Sequence, residues 1–110
     1  MKYEIPQNRL DKIIFKYLDN TLKGLEKRKG KHFDVFAFPD KEYGILGWKK
    51  NGTLCVYYKL INEISDSFGL EKNDSQKLIG RWASDRLQLE INNTLKAQWF
   101  TTNVLVVDYN

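Results

Sequence analysis

The stretch YGILGWKKNGTLCVYYKL, residues 43–60, decides the fold of this chain. Its two halves, 43–50 and 53–60, are rich in aromatic and β-branched residues, which favour strands. Between them lies Asn51-Gly52, a dipeptide that readily takes the positive φ angles of a type I′ turn. Such a dipeptide between two strand-like runs predicts a β-hairpin.

A third strand precedes the hairpin. FDVFAF at 33–38 has the same strand-like composition, and Pro39-Asp40 after it is typical of a turn. Together with the hairpin, this run predicts a three-stranded antiparallel meander.

Helical periodicity lies on both sides of the meander. Before it, apolar side chains recur at three- and four-residue steps and predict a helix over 8–28, with the stripe Leu10, Ile13, Ile14, Tyr17, Leu18, Leu22 and Leu25. After it, the same spacing predicts helices over 60–68 and 74–89, the first ending at a left-handed Gly69.

The end of the chain predicts one more strand. VLVVDY at 104–109 is apolar and β-branched without alternation, which indicates that both its faces are covered. Residues 89–100 show no clean period, and the placement of 90–110 is left open. The predicted fold class is α+β, in the order N-terminal helix, three-stranded antiparallel meander, two helices and C-terminal strand.

Length and composition fit a single α+β domain over residues 1–110. An aromatic content of 14% favours an ordered chain over a disordered one. Because Cys55 is the only cysteine, an internal disulfide and a cysteine-rich zinc site are excluded, and we expect no metal and no cofactor. No apolar stretch approaches the roughly 18 residues of a membrane helix, and the first residues do not form a signal peptide. We therefore expect a cytoplasmic protein without a membrane partner.

Candidate catalytic residues are few. His32 is the only histidine, and a lone histidine beside a basic segment is more typical of a surface residue than of a catalytic base. Cys55 lies in the middle of a predicted strand, where a buried structural thiol is the usual outcome. We predict no catalytic residue and no enzyme, and a small enzyme remains the least favoured alternative.

The aromatic content favours a protein partner. Three Trp, six Tyr and six Phe exceed what one small core needs. Large residues that fill both sides of a thin sheet would account for them, and so would exposed aromatic rings, which are typical of protein interfaces. The candidate interaction residues are Tyr43, Trp48, Tyr57, Tyr58 and Trp99. The predicted function is that of a non-enzymatic accessory or interaction module that binds a protein.

Nucleic-acid binding is the alternative. The net charge of +4 is concentrated in the basic cluster 23–31, and cations beside aromatic rings can hold phosphates while the rings stack on bases. The candidates are Lys23, Lys27, Arg28, Lys29, Lys31, Lys49 and Lys50. The same cluster could instead be a solvated helix end, where cations complement the helix dipole.

The C-terminal strand raises the prospect of a homodimer. An apolar strand such as 104–109 is an aggregation hazard if it stays on a sheet edge, so we expect it to be paired or covered. Pairing with its own copy would produce a symmetric dimer.

One resemblance places the chain in a context. IPQNRLDKIIFKYLDN at 5–20, the hairpin, and LINEISDSFGLEKNDSQKLIGRWASDRLQLEI at 60–91 together resemble small uncharacterised proteins of tailed bacteriophages, especially those of marine bacteria. The resemblance implies a phage-encoded protein acting in the host cytoplasm. It implies no functional residue, because it lies in pattern and order and contains no diagnostic motif.

Overall fold

The computed structural model describes residues 7–31, 33–101 and 105–107, and its helices and strands confirm the predicted α+β class. In chain order the elements are α1 (Gln7–Thr21), β1 (Glu26–Lys29), β2 (Asp34–Ala37), β3 (Leu46–Lys49), β4 (Thr53–Tyr57), α2 (Tyr58–Phe68), α3 (Lys72–Arg86), β5 (Asn93–Phe100) and β6 (Leu105–Val107). The strands of the described residues form one mixed sheet in the order β1-β2-β3-β4-β5-β6. Neighbouring strands are antiparallel except β4 and β5, which are parallel.

The hairpin β3–β4 forms where the sequence predicts it, with a different turn. Lys49 and Thr53 are the last paired residues, so the loop has three residues. Gly52 has a φ of +96°, and its N–H donates to the carbonyl of Lys49 over 2.9 Å. Asn51 does not have a positive φ, which a type I′ turn requires. The three-residue loop with a left-handed glycine at its end is the next most common hairpin connection.

The first helix is shorter than predicted. It ends at Thr21, and Gly24, with a φ of +92°, turns the chain into β1. Residues 26–29 pair with β2 in the register Glu26↔Ala37 to Lys29↔Asp34. The prediction of a helix over 8–28 was wrong here because Leu22 and Leu25 continue the helical spacing into a turn. The meander consequently has four strands, β1 to β4, and the prediction of three was too few.

The segment after α3 also differs from the prediction. Residues 93–100, which have no clean period, form β5, and β6 follows it at Leu105–Val107. The prediction of a single C-terminal strand was therefore incomplete, and its residues 104, 108 and 109 lie outside the described residues. β5 pairs in parallel with β4, a pairing that needs a long crossover, and α2 and α3 provide it.

The main core lies between the sheet and the helices. Its fully buried side chains come from every helix and from β3 and β4, and they include Ile14, Leu18, Leu46, Leu54, Ile61, Ile64 and Ile79. The predicted stripe of α1 is largely confirmed, although Ile13 is 44% exposed. A hydrogen bond of 2.7 Å joins the hydroxyls of Ser65 and Ser75 within this core, so both buried polar groups are satisfied.

The opposite face of the sheet carries a smaller apolar cluster. Phe33, Val35, Ala37, Cys55 and Ala97 are all buried there, with Tyr57 and Leu95 packed against them. The predicted burial of Cys55 is confirmed. Among the described residues, no helix has the length and apolar character needed to cross a membrane.

Candidate functional site

Strand direction assigns the candidate residues to opposite ends of the sheet. Because β2, β3 and β4 are antiparallel neighbours, the end of β4 lies beside the beginning of β3 and the end of β2. Tyr57 and Tyr58 are at this end, and Tyr43 precedes β3 on the same side. The last part of the basic cluster, Lys29 to Lys31, is at the other end, where β1 finishes and β2 begins.

Three tyrosine rings meet at the first end; we call Tyr43, Tyr57 and Tyr58 the tyrosine cluster. The centroid of the Tyr57 ring lies 5.2 Å from that of Tyr58 and 5.7 Å from that of Tyr43, with interplanar angles of 85° and 61°. Both are edge-to-face contacts, the geometry that the ring quadrupole favours. The tyrosine cluster is thus a continuous aromatic surface.

The backbone holds the tyrosine cluster in place. β4 passes directly into α2, with Tyr57 as the last strand residue and Tyr58 as the first helical one. The Tyr57 N–H donates to the carbonyl of Ile45 over 3.0 Å, which keeps the segment before β3 beside the end of β4. An abrupt change from strand to helix is what brings two consecutive side chains into ring contact.

Two further groups stand at this end. The Nζ atom of Lys59 lies 5.9 Å from the centroid of the Tyr57 ring, a cation–π arrangement. Trp99 lies two residues beyond Ala97, the β5 partner of Tyr57, so parallel pairing carries it to the same end. Tyr43 and Trp99 are 42% and 47% exposed and, with Ile13, are the exposed large hydrophobic side chains among the described residues.

The predicted aromatic patch is therefore divided. Four of its five candidates, Tyr43, Tyr57, Tyr58 and Trp99, lie at one end of the sheet. Trp48 lies at the other end, half-buried against the main core, and its Nε1–H donates to the carbonyl of Glu90 over 3.1 Å. None of the five is fully buried.

Four of the predicted basic residues line one cleft of about 420 Å³ around Trp48, which we call the lysine cleft. Its walls are Lys27, Lys29, Gly30, Lys31, Phe33, Asp34, Trp48 and Lys50. Asp34 is the only carboxylate among the described residues that line it, and its Oδ2 atom lies 3.6 Å from the Nζ atom of Lys27. Among the described residues, Lys29, Lys31 and Lys50 make no ion pair.

The other three basic candidates lie elsewhere. Lys23 is exposed in the turn that follows α1. Lys49 alternates with Trp48 along β3, and it lies near enough to Cys55 for its charge to act on the thiol. Arg28 donates to the carbonyls of Lys41, Phe38 and Pro39 over 2.8, 3.0 and 3.4 Å. The interpretation of the cluster as a solvated helix end was wrong, because residues 26–29 form a strand.

Two kinds of reactive group can be assessed in the described part of the chain, the cysteine thiol and a metal site. Burial raises the pKa of the Cys55 thiol, which therefore stays protonated at neutral pH. No group of three or more His, Cys, Asp or Glu side chains is placed to hold a metal ion within the described ranges. His32 lies outside those ranges, so its predicted surface position stays a prediction.

Sequence reasoning missed two functional features. Lys59 was not a candidate, although its place two residues after Tyr57 across a strand-to-helix junction explains its approach to that ring. The loop-holding contacts of Arg28 were also missed, because they depend on β1 being a strand.

No family model, no curated protein and no solved structure matches the chain.

Proposed function

We propose that this chain is a non-enzymatic interaction module that binds a protein partner at the tyrosine cluster. The observation that carries the proposal is the continuous edge contact of three phenol rings at the end of the sheet where Trp99 is also exposed. Two of the three exposed large hydrophobic side chains of the described residues, Tyr43 and Trp99, are at this end.

The physical case rests on preorganisation. A tyrosine side chain has two χ angles, so it buries a large area on binding at a small cost in conformational entropy. Here Tyr57 is in contact with rings on both sides, which restricts its motion before any partner arrives. Interfaces gain affinity when such groups are already ordered, and Tyr and Trp are enriched among the residues that dominate binding.

The partner's chemistry follows from Lys59. Its side chain is exposed at the rim of the tyrosine cluster, and Tyr57 raises the pKa of the ammonium, which is therefore charged at neutral pH. A partner that complements this surface presents an apolar side chain to the rings and a carboxylate to Lys59. A cation at an interface rim contributes more to the association rate and specificity than to affinity.

The experiment compares proteins captured by the immobilised wild-type chain and by matched variants from nuclease-treated lysate of the producing cell. Tyr43→Ala and Trp99→Ala test the proposed surface. Ile13→Ala is the control, because Ile13 on α1 is as exposed as Tyr43 but far from the tyrosine cluster in the chain. Quantitative mass spectrometry should find one protein that both test variants lose and the control retains.

The captured protein is then purified and titrated by calorimetry. We expect each test variant to weaken binding by about 1–3 kcal/mol, the range of a hot-spot residue, and Ile13→Ala by less than about 0.5 kcal/mol. Equal loss in all three variants, or equal capture by all three, would show that the tyrosine cluster is not the binding surface.

A second copy of the chain is the alternative partner, and a difference between the two sheet edges favours it. The edge strand β1 reads Glu-Lys-Arg-Lys, and charged side chains are a common protection against edge pairing. The outermost strand on the other side among the described residues, β6, reads Leu-Val-Val and has no such charge. Antiparallel pairing of β6 with its own copy would give a two-fold symmetric dimer.

Sedimentation tests this alternative directly. A concentration-dependent dimer that Val106→Lys abolishes and Lys27→Val leaves intact would support it, since the first variant places a charge on β6 and the second removes one from β1. A monomer at all concentrations would exclude the homodimer.

The phage origin stays a prediction from the resemblance.

A further inference from the structure

The lysine cleft is a second surface, at the opposite end of the sheet from the tyrosine cluster. It brings four lysines from three segments of the chain into the lining of one cleft that Trp48 also lines. Lys27 and Lys29 come from β1, Lys31 from the loop after it, and Lys50 from the hairpin turn that follows β3. Among the described residues of the cleft, one carboxylate, that of Asp34, opposes them, so this lining has an excess of positive charge.

Protection of the sheet edge does not explain this arrangement. Lysines on β1 are expected on an edge strand, where they oppose pairing with another chain. Lys31 and Lys50, however, lie outside the strands, and they line the same cleft as Trp48. Three of the four lysines have no carboxylate partner among the described residues, and so their charge is available to an anionic ligand.

Trp48 adds an aromatic ring to the charged side chains of the cleft. Its ring is half-buried, and the hydrogen bond from Nε1 to the carbonyl of Glu90 fixes the orientation of the indole. The accessible part of the indole ring is therefore held in one orientation. A fixed aromatic ring among cations is the combination that single-strand binding proteins use, since every base has a face that can stack.

We infer that the lysine cleft binds single-stranded nucleic acid, with its lysines on the phosphates and a base stacked on Trp48. The cleft volume of about 420 Å³ suits one nucleotide at a time, because small-ligand sites cover roughly 300–1,000 Å³. A duplex keeps its bases stacked on one another. Its phosphates can therefore contact the lysines, but none of its bases can stack on Trp48.

The first experiment measures binding of labelled oligothymidylate by fluorescence anisotropy across a range of salt concentrations. For single strands, the slope of log K against log salt is about −0.7 per phosphate contact, so four lysines predict a slope near −3. The variant in which Lys27, Lys29, Lys31 and Lys50 are Ala should lose most of the affinity and of the slope. The control variant replaces Lys12, Lys16, Lys72 and Lys77, four exposed lysines on α1 and α3, and should retain both.

The second experiment isolates stacking at constant charge. Trp48→Leu removes the aromatic face and should weaken oligothymidylate binding about tenfold, whereas Trp48→Phe keeps a ring and should retain most of the affinity. Circular dichroism of both variants verifies that each is folded. A duplex of equal charge and polyglutamate serve as competitors, and each should displace the oligothymidylate poorly.

Three results would overturn the inference. One is absence of oligothymidylate binding at low ionic strength. Another is equal loss of affinity in the cleft variant and the control variant, which would assign binding to overall charge. The third is competition by polyglutamate as effective as that by unlabelled oligothymidylate, together with no effect of Trp48→Leu; it would identify an acidic protein segment as the ligand.

Discussion

The indole of Trp82 donates a hydrogen bond of 2.8 Å to the carboxylate of Asp19, which joins the middle of α3 to the end of α1. The same carboxylate accepts two hydrogen bonds from the guanidinium of Arg86. Asp19 thus satisfies the polar atom of a large, almost fully buried side chain and pairs with a surface cation at the same time. This contact holds α1 against α3, the second helix of the crossover from β4 to β5.

Removing the carboxylate should destabilise the fold. Asp19→Ala leaves the Trp82 N–H without its acceptor, and an unsatisfied buried donor costs about 1–3 kcal/mol. Asp19→Asn keeps an oxygen acceptor and loses only the charge, so we expect it to cost less than about 1 kcal/mol. Urea unfolding of the two variants measures the difference, and equal destabilisation would mean that the hydrogen bond to Trp82 contributes little.

The same carboxylate should make stability depend on pH. Hydrogen bonds from Arg86 and then Trp82 hold the pKa of Asp19 below the ordinary value of about 4. A group whose pKa is lower in the folded state contributes its full stability above the unfolded value and loses it as the pH falls through the folded one. The stability difference between wild type and Asp19→Asn should therefore be present at about pH 7 and shrink below about pH 4. An equal difference at both pH values would assign the effect to something other than ionisation.

Gly80 should be intolerant of a side chain even though it lies inside a helix. A Cβ atom built on it would stand 2.5 Å from the Oγ1 atom of Thr94, where α3 meets β5. Helix propensity alone predicts that Gly80→Ala stabilises the protein by about 1 kcal/mol. Overpacking of this contact instead predicts a loss of about 1–3 kcal/mol. The sign of the measured change in unfolding free energy therefore decides between the two effects.

A second substitution makes this prediction stricter. Thr94→Ala removes the atom that the new methyl group would meet, so Gly80→Ala in that background should become neutral or stabilising. A double-mutant cycle gives the coupling between the two positions. Additive effects would show that the approach of α3 to β5 is not what excludes the side chain.

The elements that the sequence could predict are those whose signal is local. Asn51-Gly52 between two strand-like runs identified the β3–β4 hairpin, and the left-handed Gly69, with a φ of +65°, ends α2 as expected. The turn at Gly24 was missed because Leu25 keeps the helical spacing beyond it. β5 was missed because its strand conformation depends on pairing with β4 rather than on a local pattern. That pairing in turn depends on the crossover formed by α2 and α3.

The candidate surfaces show the same difference between what residue type indicates locally and what the arrangement of the strands decides. Residue type alone identified the tyrosines and the lysines, but it could not show that Trp48 lies with the lysines and apart from Tyr57. That separation follows from strand direction, since Trp48 is near the end of β3 and Tyr43 precedes its beginning. Arg28 was grouped with the lysines because it is a neighbouring cation, whereas alternation along β1 separates it from Lys27 and Lys29.

Arg28 therefore offers a test that separates the two surfaces. Its guanidinium donates to the carbonyls of Phe38 and Lys41, and so it holds the loop that leads to Tyr43. Arg28→Ala should cost about 1.5–3 kcal/mol of stability, the range for hydrogen bonds of a charged group. It should also speed amide hydrogen exchange in residues 38–45, because the loop loses its anchor, and weaken capture of a partner at Tyr43.

The adjacent residue supplies the matched control. Lys29→Ala removes one charge from the same strand, but Lys29 lines the lysine cleft and makes none of these loop contacts. It should weaken oligothymidylate binding and leave both hydrogen exchange in 38–45 and partner capture unchanged, whereas Arg28→Ala should do the reverse. If the two variants instead changed both kinds of binding alike, the two ends of the sheet would form one charged surface, and the assignment of separate ligands to them would be wrong.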